Sequence, residues 1–589
     1  MTSMLFYRGQ RLALASLTRV ARLSNFYDVA VACMLLGASM AVVHFAQAAR
    51  APLDVLLTHQ VVSLSPQHLP EYALRSTLRM FAAMAASLIF TFSVATFAAK
   101  NARAEKVIIP ALDILQSVPV LGFISFTVTF FLGLFPGRQL GAECAAIFAI
   151  FTSQAWNMAF SFYQSLRTVP RDLQEVADGF GFSPWLRFWR LEAPFAMPGL
   201  IWNMMMSMSG GWFFVVACEA ITVGNTTVTL PGIGAYLNIA ITQRNFVAVT
   251  WAVVAMAVLI VSYDQLFFRP MVAWADKFRV EQTASTAIPR SWLYEVLCRT
   301  QLFKRLMAPV VNCGARMLLI DGKRSRSIVR AVIPTSRQES QKKADWIWQG
   351  LIIIAALFAA HLFFKDAFKA LSFVDLKVSF YSGLVTCVRV ILLIAIASCI
   401  WVPIGVWIGL RPGLAQRIQP LAQFLAAFPA NVLFPFAVFI ILSTHANPNI
   451  WLSPLMVLGT QWYILFNVIA GTLAFPTDLH DVAHVNRMLG TWTWWRRVML
   501  PGIFPYYLTG ALTASGGSWN ASIVAEWVEW GSQHLQAYGL GSYIAQATQE
   551  GDHARVVLGV AMMAIMVTFL NRVVWRRLYR YAQNHWQAN

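Results

Sequence analysis

The chain has 589 residues, 58% of them hydrophobic and 12% charged, with a formal net charge of +19 at pH 7. A soluble domain of this size could not cover its core with so little polar surface, so a water-soluble class is excluded and an integral membrane protein is implied. The basic residues are spread over short segments rather than gathered on one domain, which argues against a nucleic-acid footprint.

A basic lead (Arg8, Arg11, Arg19, Arg22) precedes the first long apolar stretch, which begins near Asp28. No small-residue cleavage site follows a short apolar core, so an uncleaved span is expected there rather than a signal peptide. Segments with the roughly 20 apolar residues needed to cross a bilayer recur near 28–46, 74–98, 107–135, 143–166, 196–222 and 246–268. They recur again near 346–364, 381–410, 418–442, 450–474, 502–529 and 555–575, making twelve. With a cytoplasmic N-terminus, 35 of the 45 Lys and Arg fall in inside segments, as the positive-inside rule requires. The net charge then reads as topology and as contact with anionic lipid.

Two stretches repeat one pattern. DLQEVADGFGFSPWLRFWRLEAPFAMPG (Asp172 to Gly199) and DLHDVAHVNRMLGTWTWWRRVMLPGIFP (Asp478 to Pro505) each give an acidic residue with Val-Ala, a run rich in Trp and Arg, and a Pro opening the next apolar segment. Each predicts a short amphipathic helix between spans. The duplication extends further: Arg79, Pro110 and Pro119 match Arg389, Pro420 and Pro429 at the same mutual spacing. SGGW (Ser209 to Trp212) is echoed by SGGSW (Ser515 to Trp519), Glu219 by Glu526, and PGIGAY (Pro231 to Tyr236) by YGLGSY (Tyr538 to Tyr543). A series of matches in one order predicts two parallel repeats about an axis along the membrane normal. The units run 1–268 and 346–589, joined by a basic connector at 269–345. Within the connector, Trp292 to Ile320 is apolar, but five charges, among them Lys304 and Arg305, predict a helix in the headgroup plane or on the protein's own surface.

The seven cysteines, Cys33 to Cys399, include no Cys-x-x-Cys pair, and the ten histidines do not cluster, so neither a disulfide framework nor a metal site is expected. No G-x-x-x-x-G-K-[ST] loop occurs; the nearest string, DGKRS at Asp321, lacks the first Gly. Inside the spans, Gly210-Gly211 and Gly516-Gly517 permit close helix approach or a broken helix lining a cavity. Trp212, Trp519 and Asn520 lie beside them. Arg79, Arg389, Glu219 and Glu526 are ionisable groups in or near the spans, and such groups face a cavity or a partner charge. Two readings stand for them: internal Arg–Glu pairing, or an anion-accepting pair of arginines on a substrate path.

The repeated loop resembles the EAA loop of ABC importer permeases, in which Glu-Ala-Ala is followed after three residues by Gly and then by a closing Pro. The first copy fits at Glu175, Val176, Ala177, Gly181 and Pro194. In the second, Asp481 replaces the Glu, Arg487 stands where Gly is expected, and the interval to Pro501 is one residue longer. The resemblance implies an all-α membrane protein of about twelve transmembrane helices, in two parallel repeats of the type I importer permease (MetI-like) fold. It implies that Glu175, Ala177, Gly181, Asp481, Ala483 and Gly490 contact two ATP-binding cassette subunits. Those subunits would carry ATP and magnesium, this chain holding no cofactor and being no enzyme itself. LDILQSVPVLGF (Leu112 to Phe123), LAQFLAAFPANVLFP (Leu421 to Pro435) and GSWNASIVAEW (Gly517 to Trp527) look like the nitrate/sulfonate/taurine class in a fused two-unit form. That class implies a small anionic or zwitterionic solute, an extracytoplasmic solute-binding protein and a bacterial inner-membrane location with both termini cytoplasmic. A twelve-span secondary transporter using Glu219 and Glu526 as ion-coupled carboxylates is the alternative; it has no need of the duplicated loops.

Overall fold

A computed structural model describes residues 28–37, 62–223, 226–278, 291–300, 371–473, 491–531 and 533–578, with a few isolated positions besides. The span expected at 346–364 and most of the connector, including Lys304 and Arg305, lie outside these residues. The described start of the connector's apolar stretch is a helix, Trp292–Arg299, which Ser291 opens by accepting from the Tyr294 amide at 3.3 Å. Contacts divide the chain into two compact units. One comprises Met1–Ala48, Ser161–Met205 and Val261–Gln341, the other Ala49–Phe160, Met206–Ile260 and Lys342–Asn589.

Helix dominates because a bilayer admits only helices or closed barrels, and continuous apolar runs of about 20 residues suit the helix. Five helices are long and apolar enough to cross a membrane: Pro66–Lys100, Pro184–Cys218, Phe246–Phe278, Phe373–Gly409 and His553–Leu578. With each bent pair taken as one span the number is up to seven among the described residues, so a total of twelve is not reached there. Side chains mark several starts. Asn101 accepts from the Arg103 and Ala104 amides, Ser372 forms a capping box with Asp375, and Asp552 accepts from the Arg555 amide.

The repeat is visible element by element. Helices Ala193–Cys218 and Leu500–Ala525, hairpins Ala220–Val223/Thr226–Thr229 and Trp527–Trp530/Gln533–Gln536, and π-helical turns Phe188–Glu192 and Trp495–Met499 all recur 307 residues apart. The hairpins, antiparallel in both copies, are the β structure that an all-α expectation does not contain.

Two expected spans are not straight. Near 107–135 the chain forms Ala102–Ser117, a 3-10 turn Val120–Phe123 and then Ile124–Leu134. Near 418–442 it forms Pro412–Ala427, a turn Ala430–Leu433 and then Phe434–Ser443, with a bend of 77°. Proline explains both breaks. Val118 and Phe428, each just before a Pro, are extended at φ −80°, ψ 126° and φ −71°, ψ 122°, the region a following proline imposes. The second repeat has a further break. Gln139–Arg167 is one 29-residue helix, whereas its counterpart bends by 41° between Pro448–Leu458 and Gln461–Leu473.

Candidate functional site: a cavity between the repeats and an exposed loop

The matched ionisable residues meet in two clusters. Arg79 is fully buried; its Nε and Nη2 donate to the two oxygens of Glu143 at 2.6 and 2.7 Å. Its Nη1 donates to Glu219 Oε1 at 2.7 Å and to Pro231 O at 2.9 Å. Glu219 also accepts from the Ser76 hydroxyl at 2.6 Å and the Gly234 amide at 2.7 Å. In the second repeat Arg389 Nη1 donates to Glu526 Oε1 at 2.5 Å, and Glu526 accepts from Thr386 Oγ1 at 2.9 Å and the Gly541 amide at 2.8 Å. Glu219 and Glu526 thus each have a guanidinium and several further donors, and Glu143 the two-pronged guanidinium of Arg79, the condition under which a charge is stable away from water. The repeated Gly motif follows from this packing. A Cβ at Gly232 would overlap the Glu219 carboxyl, and one at Gly539 the Glu526 carboxyl, so both positions need glycine for space rather than for backbone angle.

A cavity of about 70 Å³ lies between the repeats within the larger unit. Ser209, Gly210 and Phe213 line it from the first repeat, facing Pro429, Thr460, Tyr463, Gly517 and Asn520 of the second. Its position follows from the breaks described above. Pro429 ends one helix there, and Gly459 and Thr460 form the bend of the next. Gly459 sits 3.1 Å, at its would-be Cβ, from the Ala430 Cβ. The junctions at the two prolines are reciprocal. The Val120 amide donates to Asn520 Oδ1 at 2.9 Å, and Asn431 Nδ2 donates to Phe213 O at 3.3 Å. Phe213 and Asn520 are themselves 307 residues apart, so each repeat's broken helix docks on the same helix of the other. Chemically the cavity is mostly apolar, with a few polar groups to orient a ligand: Thr460 Oγ1, 2.9 Å from Ser518 Oγ, the Tyr463 hydroxyl, and Asn520.

Of the residues proposed for a path, Gly210, Gly517 and Asn520 therefore line the cavity. Gly211 instead packs against Met80 and Gln154, its would-be Cβ 2.7 Å from Gln154 Nε2, and Gly516 meets nothing within 4 Å. Trp212 and Trp519 are buried. The helices run unbroken through both glycine pairs; close approach is present at Gly211 and Gly517, while Gly210 and Gly517 also border the cavity without a helix break. Sequence reasoning missed Glu143, Ser76, Thr386, Thr460 and Tyr463. Ser76 and Thr386 stand 310 residues apart, as Arg79 and Arg389 do, which is a signal that could have found them. Glu143 has no acidic counterpart and gave none.

The first loop forms the helix Arg171–Gly179. It ends in a Schellman closure: the Gly181 amide donates to Asp178 O at 3.0 Å and the Phe182 amide to Ala177 O at 3.1 Å. Gly181 takes φ +67°, and a Cβ there would meet nothing within 4 Å; glycine is required by conformation alone. Ser183 then caps the next helix through the Leu186 amide, and Arg187 returns to Asp178 at 3.0 Å, Gln174 at 2.6 Å and Glu192 at 3.2 Å. Glu175 is exposed, as are the apolar side chains Val176, Phe180, Trp185 and Trp189. Ala177, on the same helix, is 4% exposed and packs inside the chain. Asp481, Ala483, Arg487 and Gly490 lie outside the described residues.

Comparison with known proteins accords with this arrangement. The sequence profile of the binding-protein-dependent transport system inner membrane component matches twice, over residues 65–268 and 401–582. The bicarbonate transport system permease protein CmpB of Synechococcus elongatus is 29% identical over 195 residues, 33% of this chain and 66% of that protein. The nitrate import permease protein NrtB of Leptolyngbya laminosa is 26% identical over 178 residues, 30% of this chain and 60% of its own length. The glycine betaine/carnitine transport permease protein GbuB of Listeria monocytogenes is 29% identical over 129 residues, 21% of this chain and 42% of that protein. The matches thus span two thirds or less of the relatives' length. With two copies of the family profile covering most of its length and its apolar helices arranged as a tandem repeat, the chain is a multi-pass inner-membrane protein and belongs to the binding-protein-dependent transport system inner membrane components.

Proposed function

We propose that the chain supplies both permease units of an ABC importer, passing a small anionic or zwitterionic solute by alternating access while two partner ATPase subunits supply the energy. The observation that carries this reading is the first loop. A helix closed by a Gly181 Schellman turn holds Glu175 and the apolar group Val176, Phe180, Trp185 and Trp189 exposed, and large apolar side chains gathered on one loop suit a protein partner. The second loop at 478–501 would grip the other ATPase. ATP and magnesium belong to those subunits. The solute would cross at the cavity lined by Gly210, Tyr463, Gly517 and Asn520, whose size suits a small polyatomic ion. Bicarbonate and nitrate in the relatives' names support an anion, and glycine betaine supports the zwitterionic possibility. An extracytoplasmic binding protein would deliver it.

The secondary-transporter alternative is disfavoured by geometry: Glu219 and Glu526 are held by Arg, a hydroxyl and backbone amides and do not line the cavity. The test is co-purification of an ATPase with the permease and ATP-dependent uptake in vesicles. Uptake abolished by an uncoupler but indifferent to ATP would overturn the importer reading.

A further inference from the structure

The two arginine clusters share one plan and differ along one edge. Both arginines give Nη1 to a glutamate, and both reach the backbone oxygen that precedes the glycine turn, Pro231 O and Tyr538 O. At Arg79 the remaining Nε/Nη2 edge is filled by both oxygens of Glu143. At Arg389 it is not. The residue at the same 310-residue offset from Glu143 is Ser453, whose hydroxyl donates instead to Asn449 O at 2.9 Å. Arg389 Nη2 meets only backbone oxygens, Tyr538 at 3.2 Å and Asn449 at 3.5 Å, and its Nε donates to no group among the described residues. The Arg389 side chain keeps 10% exposure where Arg79 keeps none, and Asn449, Ile450 and Tyr538 around it are exposed.

We infer that the Nε/Nη2 edge of Arg389, where Nε is unpartnered among the described residues and Nη2 is held only by two backbone oxygens, is a binding site for a planar oxyanion such as bicarbonate, nitrate or the carboxylate of a zwitterion, which would displace the 3.5 Å bond to Asn449 O. The protein contains its own demonstration of the chemistry. An arginine already paired to one glutamate at Arg79 holds a second carboxylate through two parallel bonds, the fork geometry that guanidinium and planar oxyanions share. Glu526 and Tyr538 O fix the Arg389 head so that the fork is preset, and without a Glu143 equivalent no carboxylate competes with the ligand for that edge. This inference rests on the importer reading for its biological role, although binding itself is measurable without transport.

The experiment is calorimetric titration of the purified full-length protein in nanodiscs with nitrate and with bicarbonate, chloride serving as the spherical control. Saturable binding of at least one oxyanion is expected, weakened about tenfold or more in Arg389→Lys, which keeps the charge and loses the fork. The same loss is expected in Ser453→Glu, which supplies the carboxylate that closes the edge in the first repeat. If Ser453→Glu does not fold, Arg389→Lys decides alone. Absence of saturable oxyanion binding in the wild type, or unchanged binding in the folded variants, overturns the site. Uptake in vesicles with the ATPase partner separates the two readings. A raised half-saturation with ATP dependence intact supports the site, an unchanged half-saturation sinks it while sparing the importer, and loss of ATP dependence in the wild type sinks the importer and leaves the binding result standing.

Discussion

Arg79 and Arg389 occupy matching places in the two repeats but do not carry equal burdens. Removing Arg79 strands Glu143 and Glu219, both inside the protein, and breaking a buried pair by deleting one partner costs about 3–5 kcal/mol. Arg79→Gln is therefore expected to abolish the well-folded fraction, read as loss of the monodisperse peak after detergent extraction. Arg389→Gln strands one carboxylate that retains the Thr386 hydroxyl and the Gly541 and Ser542 amides, so it should lower the melting temperature yet yield protein. Equal yields from the two variants would contradict the asymmetry. Gly181 allows a second test. An L-residue in the left-handed region costs about 1–2 kcal/mol, and asparagine tolerates that region better than other residues. Gly181→Val should weaken ATPase co-purification, while Gly181→Asn should retain most of it; identical behaviour of the two would remove the backbone explanation. At this scale the sequence was legible wherever a residue was copied. The paired Arg, Glu and Gly motifs announced the clusters, and the uncopied Glu143 did not, because nothing in a single carboxylate inside an apolar run tells which arginine it faces.

The elements were legible in type and less so in shape. Apolar length marked the helices well, since a bilayer leaves few alternatives, but length says nothing of a bend. Pro119 and Pro429 were visible as a matched pair, yet each stood inside an apolar run long enough to read as one straight span. The bend at Gly459 had even less signal, being absent from the first repeat. The hairpins are four residues per strand and lie directly after apolar helices, where alternation is too short to register. These irregular places are where the cavity forms, so filling one should act on transport before folding. Gly210 has a would-be Cβ 3.4 Å from the Tyr463 hydroxyl, whereas a Cβ at Gly211 would press on Gln154 and Met80. Gly210→Leu is expected to insert and extract normally but to lose uptake, because its side chain projects into the cavity. Gly211→Leu should fail in extraction yield, since overpacking of a filled core costs about 1–3 kcal/mol or more. Normal uptake by Gly210→Leu would take the cavity out of the solute path.

At the scale of the whole molecule, the tandem repeat constrains topology more tightly than any single helix does. The elements recur in the same order, with helices, hairpins and π-helical turns at a 307-residue offset, and the proline breaks dock reciprocally through Val120 on Asn520 and Asn431 on Phe213. Reciprocal docking of this kind is what a twofold relation between like halves produces, and in a membrane it fits two halves inserted in the same direction. Charge carries the topological expectation: the connector from Arg269 to Asp345 has 15 Lys or Arg against 6 Asp or Glu, for which the positive-inside rule predicts a cytoplasmic position. Its own structure left no pattern beyond one apolar stretch. If both repeats insert in parallel, the two hairpins face one side and the two amphipathic loops the other. Cysteine-accessibility or reporter fusions within 280–340 and after Arg576 should then read cytoplasmic, whereas fusions near Pro66 and Gln533 should read external. The paired comparison is the decisive part. A connector that reads external, or hairpins that label from opposite sides, would make the repeats antiparallel and leave the two loops unable to reach ATPases on a single face of the membrane.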